Sequence, residues 1–403
     1  MNRTLSIATA VAAALGLAAC GGSGSNDTAS GEIVIGASIP ETGPLASFGD
    51  QLRSGYSAAV DAVNDSGGLP VGGEKRKVRL VFRDNKSDPN TATAQARTLL
   101  LEEKAVALLG AVSPPLNIPM AGVAESRRTP FVTSLTPIQA FRSGSEQGWK
   151  YAWDLYFDEK EMTDRQFDAA DRVETNKRVA LFTDTGEDGQ VLGDLWRAKA
   201  RARGYKIVSD ARFPVGTTNY GTFIAKAKEA KADVVIALMV PPDAFALWKQ
   251  MRAAGFSPRA AFCEKCANVR DWTVALKDVG QGTGASGVWS PVLKRPGTDQ
   301  MVRLFAKKYG RTVDFANVVA TYTAAGVLLD AISSAGSTDA EKVNGAIRAT
   351  DADYPLTRVR FDDRNTLAVP TMMFQWQGSG MEVVAPTDVP NRPLRAPVAG
   401  LQR

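Results

Sequence analysis

Residues 31–69 read GEIVIGASIPETGPLASFGDQLRSGYSAAVDAVNDSGGL. The apolar run Ile33-Val34-Ile35 has the length and branching of a buried strand. Turn residues follow from Pro40 to Pro44, ending in Ser47-Phe48-Gly49. An amphipathic helix comes next, with Leu52, Tyr56, Ala59, Val60 and Val63 on one face, and Gly67-Gly68 closes it. This is a strand–loop–helix unit. In open α/β sheets such a loop lies at the carboxyl end of its strand, where small ligands bind.

The pattern repeats. Residues 78–82 alternate as a strand, and Asp88-Pro89 offers a cap and a first-turn proline for a helix burying Ala92, Ala96, Leu99 and Leu100. Strands are expected at 106–109 and 131–134, with a helix opening at Ser113-Pro114-Pro115 between them. The aromatic run 149–157 reads as a crossing, after which a second alternation begins: strands at 179–182, 234–240 and 259–263, with helices between. A further strand is expected from Val288-Trp289-Ser290, helices near 298–309, 317–334 and 338–349, and a strand at 372–376. Two sets of such units in 403 residues imply two similar lobes.

Three runs carry a resemblance: TGPLASFG at 42–49, AVDAVNDSGGL at 59–69 and KVRLVFRDNKSDP at 77–89. In order and spacing they resemble the branched-chain amino acid-binding family of solute-binding proteins, which serve ABC importers. The resemblance covers about residues 31–388. It implies a two-lobe type I periplasmic-binding fold, each lobe a mostly parallel sheet flanked by helices, with three hinge crossovers. The expected division is a signal peptide at 1–19, a lipid-anchored linker at 20–31, lobe I at 32–151 plus 288–369, lobe II at 152–287 plus 370–388, and a flexible tail at 389–403.

Charge and composition narrow the chemistry. The net charge is +5 and 23% of residues are charged. The short basic clusters Lys75-Arg76-Lys77 and Arg127-Arg128 read as solvated surface, because no nucleic-acid motif accompanies them. There are no histidines, which removes His-based triads and His-ligated metals. No catalytic residue, cofactor or metal site is expected. The run Gly282-Thr-Gly284-Ala-Ser-Gly287 fits G-x-G-x-x-G, but helix-like residues precede it and strand-like residues follow, the reverse of a dinucleotide loop. It reads as a surface turn.

Arg3, then an apolar stretch at 5–17, match a secretory signal peptide. The stretch is shorter than the roughly 20 residues needed to span a bilayer. Its end, Leu17-Ala18-Ala19-Cys20, resembles a bacterial lipoprotein box, which would make Cys20 the acylated first residue of the mature chain. The alternative is a plain signal peptide followed by a chance cysteine. Outside the cytoplasm, Cys263 and Cys266 most simply form a disulfide. A thioredoxin-like redox motif or half a zinc site are the other readings.

The resemblance also nominates a site. A zwitterion's carboxylate wants hydroxyls and helix N-termini, and the loops at Ser113 and Thr136 supply them. Thr136 matches the family's threonine. Pro114 stands where the usual ligand serine is expected, removing a hydroxyl and an N–H. Glu264 aligns with the acid that contacts the amine, and Phe48 with an aromatic that packs on the ligand. Asp188 and Val240 fall where relatives often carry tyrosines. Trp153, Tyr156 and Trp289 sit at expected lobe junctions, either stacking on a ligand or packing the hinge. The implied partners are a small amino acid-like ligand, an ABC permease with its ATPase, and a membrane through the lipid anchor, the protein itself being monomeric. A ligand sensor for a membrane receptor and a Cys-dependent redox lipoprotein are the competing functions.

Overall fold

The computed structural model describes residues 31–310, 313 and 316–402. The stretch expected as a signal peptide, Cys20 and most of the expected linker lie outside them.

The first strand, β1 (Ile33–Ile39), runs through the turn segment into α1 (Gly49–Asp65). Thr42 Oγ1 and the Glu41 and Thr42 amides donate to Asp84, pinning that turn to the neighbouring strand. Gly67 and Gly68 take positive φ just past the helix, and the Gly68 amide donates to the Val63 carbonyl. A small hairpin, β2 (Leu69–Val71) and β3 (Glu74–Arg76), leads to β4 (Val78–Asp84). Then come α2 (Pro89–Leu101), β5 (Ala107–Leu109), α3 (Pro114–Ser126), β6 (Phe131–Thr133), α4 (Ile138–Ser143) and β7 (Ala152–Tyr156). Asp88 caps α2 through the Thr91 amide at 2.6 Å.

The chain then changes lobe. It forms α5 (Glu159–Ala170), β8 (Arg178–Asp184), α6 (Glu187–Ala202), β9 (Lys206–Phe213), α7 (Gly221–Glu229), β10 (Val234–Leu238), α8 (Pro241–Ala253), β11 (Ala260–Glu264), α9 (Asp271–Leu276) and β12 (Thr283–Gly287). It returns through α10 (Thr298–Tyr309), α11 (Ala316–Ala335), α12 (Ala340–Arg348), the short β13 (Ala352–Asp353) and β14 (Arg358–Val359), and β15 (Thr366–Ala368). A last crossing gives the hairpin β16 (Met372–Gln377) and β17 (Gly380–Ala385).

The first sheet has the order β15-β7-β6-β5-β1-β4 and is parallel throughout. The second has the order β17-β16-β12-β11-β10-β8-β9, parallel except where β16 and β17 run against their neighbours. The chain crosses between the sheets three times, after β7, β12 and β15. The two-lobe, doubly flanked architecture is therefore as the sequence implied.

α11 is long and apolar enough to cross a membrane by length and composition, yet it is the central packed helix of lobe I. It lies so close to α1 that a Cβ on Gly55 would meet Thr321 Oγ1 at 1.9 Å.

Four details correct the sequence reading. The aromatic run at 149–157 is not a crossing. Its centre is β7, all five residues buried, paired on both sides within the first sheet. The first pass through lobe I thus extends beyond residue 151 to 156. The glycine-rich 282–287 segment is not a surface turn. It is the buried strand β12, and its glycines are there for space: a Cβ on Gly284 would lie 2.5 Å from the Phe262 ring, and one on Gly287 2.8 Å from the Phe374 ring. The strand expected from Val288 on accordingly ends at Gly287. The tail does not fray. Val398 and Leu401 are fully buried, and Gln375 and Gln281 bond to the backbone of Arg395 and Gly400.

Candidate functional site

The carboxyl ends of the strands in both lobes face one another across a cleft. Lobe I contributes Phe48, Ser113, Pro114, Leu135, Pro137 and Tyr156. Lobe II contributes Asp188, Leu238, Glu264, Lys265, Asn268 and Ser286. Together they enclose about 500 Å³, the open mouth included. Three contacts cross the cleft: Gln51 Nε2 donates to the Asn268 carbonyl at 3.0 Å, Ser47 Oγ donates to Asp271, and Ser113 Oγ lies 3.5 Å from Asp188 Oδ2. The lobes are closed on each other.

On the lobe I wall, Phe48 ends the turn before α1 and is 2% exposed. Ser113 precedes α3 with φ at 72°, a left-handed conformation unusual for a residue with a side chain. Pro114 occupies the first turn of α3, where a missing N–H costs no helical bond. It does remove the donor that a ligand carboxylate would use there. Thr136 lies behind this wall. Its hydroxyl oxygen accepts from Asn117 Nδ2 at 2.7 Å, and the residue is fully buried. Its neighbours Leu135 and Pro137 line the cleft in its place.

On the lobe II wall, Glu264 closes β11 and is 4% exposed. It accepts from Gln166 Nε2 at 2.7 Å, Ser286 N at 3.0 Å and Ser286 Oγ at 2.5 Å. Trp196 in turn donates to Gln166. Burial pushes the Glu264 carboxyl above the ordinary range, against the pull of those hydrogen bonds. No cation pairs with it among the described residues.

Asp188 is different. Lys265 Nζ lies 2.7 Å from its carboxylate, and both are largely buried. Burial by itself would lower Lys265, but Asp188 and Asp184 outweigh it and hold the ammonium above the usual lysine range. Burial raises Asp184 to about 6, with Lys265 opposing.

The remaining nominations divide. Tyr156 lines the cleft and donates its hydroxyl to Asn317 at 2.8 Å. Trp153 does not reach the cleft. It is fully buried in lobe I, donates to Asn344 Oδ1 at 2.8 Å, and packs against Phe361 and Arg348. Val240 precedes α8, buried, and Leu238 takes its place on the wall. Trp289 lines a neighbouring chamber of about 460 Å³ beside the hinge, which shares Asn268 and Ser286 with the cleft. Cys263 and Cys266 are joined as a disulfide, with Cα atoms 5.7 Å apart, and no third His, Cys, Asp or Glu completes a metal site among the described residues.

Sequence reasoning missed Leu135, Pro137, Leu238, Lys265, Asn268 and Ser286. Leu135, Pro137, Leu238 and Lys265 lie at or just beyond strand carboxyl ends, so the topology would have nominated them once strand ends were known.

Comparison with known proteins agrees with this fold. A family model described as periplasmic binding protein matches residues 32–381. A Brucella abortus protein named Leu/Ile/Val-binding protein homolog 7 is 25% identical over 401 aligned residues, covering 92% of this chain and 95% of its own. A leucine-binding protein LivK from Thermotoga maritima superimposes with a TM-score of 0.77 at 23% identity, covering 89% of this chain and 99% of its own. An R. palustris solute-binding protein in complex with benzoate does so at 0.76 and 17%, covering 91% and 99%. The chain belongs to the periplasmic binding protein family, whose members are binding proteins and not enzymes.

Proposed function

We propose that this chain is an exported, lipid-anchored binding protein that holds a small amine-bearing solute with an apolar body in the interlobe cleft and hands it to an ABC permease. The observation that carries the ligand class is Glu264. It is a buried carboxylate with three donors and no paired cation among the described residues, so a ligand ammonium would complete it. Asp188 offers no such vacancy, because Lys265 already neutralises it. Phe48, Leu135, Pro137 and Leu238 give the apolar body its surface. Hydrophobic amino acids satisfy this description, in keeping with the names of the relatives. Pro114 weakens the case for a strong carboxylate grip.

The ligand would favour the closed state by touching both walls at once. It shifts the hinge only by as much as it binds that state better. Thermal-shift screening tests the ligand class with hydrophobic amino acids, the matching amines lacking the carboxylate, and the matching acids lacking the amine. Stabilisation by the first two groups and not the third is expected. Preference for the acids would overturn the reading and point to Lys265 and Ser113 as an anion site. Anchoring through Cys20 is tested by metabolic labelling with a fatty acid. Label in the wild type and none in Cys20→Ala is expected.

A further inference from the structure

Glu264 and Lys265, the two charged residues at the end of β11 that face the cleft, are the two residues enclosed by the Cys263–Cys266 disulfide. Just beyond it, Asn268 and Asp271 take the bonds from Gln51 and Ser47 of the other lobe. One segment, residues 263–271, therefore supplies both a charged pocket wall and the clasp between lobes.

The sheet does little to hold this segment. Pairing of β11 with β12 covers only Ala261 and Phe262, and pairing with β10 stops at Glu264. Lys265 then turns through the left-handed region at φ 63°, which a side-chain-bearing residue adopts only when its surroundings enforce it. The disulfide is the covalent restraint on that turn. Its cysteines are three residues apart, so it removes little entropy from the unfolded chain as a whole. Its constraint is local.

We propose that the Cys263–Cys266 disulfide positions the binding-site turn, and that reduction by a dithiol loosens the pocket wall and the interlobe clasp together. The proposal rests on reading the cleft as the ligand site. In the reaction, a reductant thiolate attacks one protein sulfur and the Cys263–Cys266 bond breaks to give a mixed disulfide. The second reductant thiol then closes its own disulfide. The two electrons pass to Cys263 and Cys266, which take up protons as thiols. Both sulfurs belong to fully buried residues, so the reductant gains access as the turn opens.

Amide hydrogen exchange on the full chain tests this without any ligand. Three samples are compared: oxidised wild type, wild type reduced with dithiothreitol and alkylated, and the Cys263→Ala/Cys266→Ala variant. Residues 264–271 are expected to exchange about tenfold faster in both altered samples, while β10 and the first sheet stay within about twofold. Unchanged exchange at 264–271 would overturn the proposal. So would acceleration that spreads through β10, which marks a general staple. If the variant does not fold, the reduced wild type decides. Because no solute is added, failure here is separate from failure to find a ligand.

Discussion

Lys265 holds the Asp188 carboxylate at 2.7 Å on the wall of the cleft, with side-chain exposures of only 15% and 8%. The pair turns two charges that would otherwise compete for ligand into a closed unit, and leaves Glu264 as the cleft-lining acid with no paired cation among the described residues.

Breaking that pair should cost stability. Asp188→Asn leaves a largely buried ammonium with Asp184 as its remaining acidic neighbour among the described residues, and is expected to destabilise the fold by about 3 kcal/mol. The double variant Asp188→Asn/Lys265→Met removes both charges and should recover most of that loss. Urea unfolding of the single and double variants measures the coupling.

Asp184 should leave a signature in the pH dependence of stability. Its carboxyl is raised to about 6 by burial, from an ordinary value of 3.8. Between those values the folded state binds more protons than the unfolded state, so stability falls as pH rises through that window. The shift corresponds to about 3 kcal/mol once both states are ionised. Asp184→Asn is expected to flatten this slope in unfolding experiments run from about pH 4 to about pH 7.

Trp153 should matter for stability and not for binding. Trp153→Phe strands Asn344 Oδ1 and opens space beside Phe361 and Arg348. A loss of about 2 kcal/mol is expected. Ligand affinity should be unchanged, because the indole lies in the lobe I core, away from the cleft. Phe48→Ala is the contrast, with weakened affinity measured by calorimetry.

Gly284 should not tolerate a side chain. Gly284→Ala drives a Cβ to 2.5 Å from the Phe262 ring in a strand central to lobe II. Thermal or urea unfolding is expected to register a cost of about 2 kcal/mol.

The fold was legible because apolar runs such as Val234–Leu238 and helix caps such as Asp88 act locally. What escaped was not local. β12 reads as TGASG, and its glycines answer rings on β11 and β16 that no window around them contains. β9 is an edge strand whose first four residues are all exposed or half-buried, so its alternation is confined to the last four. Trp153 looked like a junction aromatic because neighbouring sequence cannot reveal that Asn344, almost two hundred positions on, receives its N–H. On the cleft wall, Phe48 and Glu264 are residues that resemblance to a family had nominated. The Lys265–Asp188 pair spans 77 positions, and only the folded β11 turn brings it together.

Glu264 is proposed to receive a ligand ammonium in the closed cleft. Its carboxyl sits above the ordinary range through burial, so acid should protonate it and weaken an amine ligand. Calorimetric titration of a hydrophobic amine into wild type and Glu264→Gln, from about pH 8 down to about pH 5, is the most direct test. Wild-type affinity should fall as the pH is lowered, while Glu264→Gln binds at least about tenfold more weakly at the upper end and varies less with pH. Equal affinity in the two proteins across the range would contradict it.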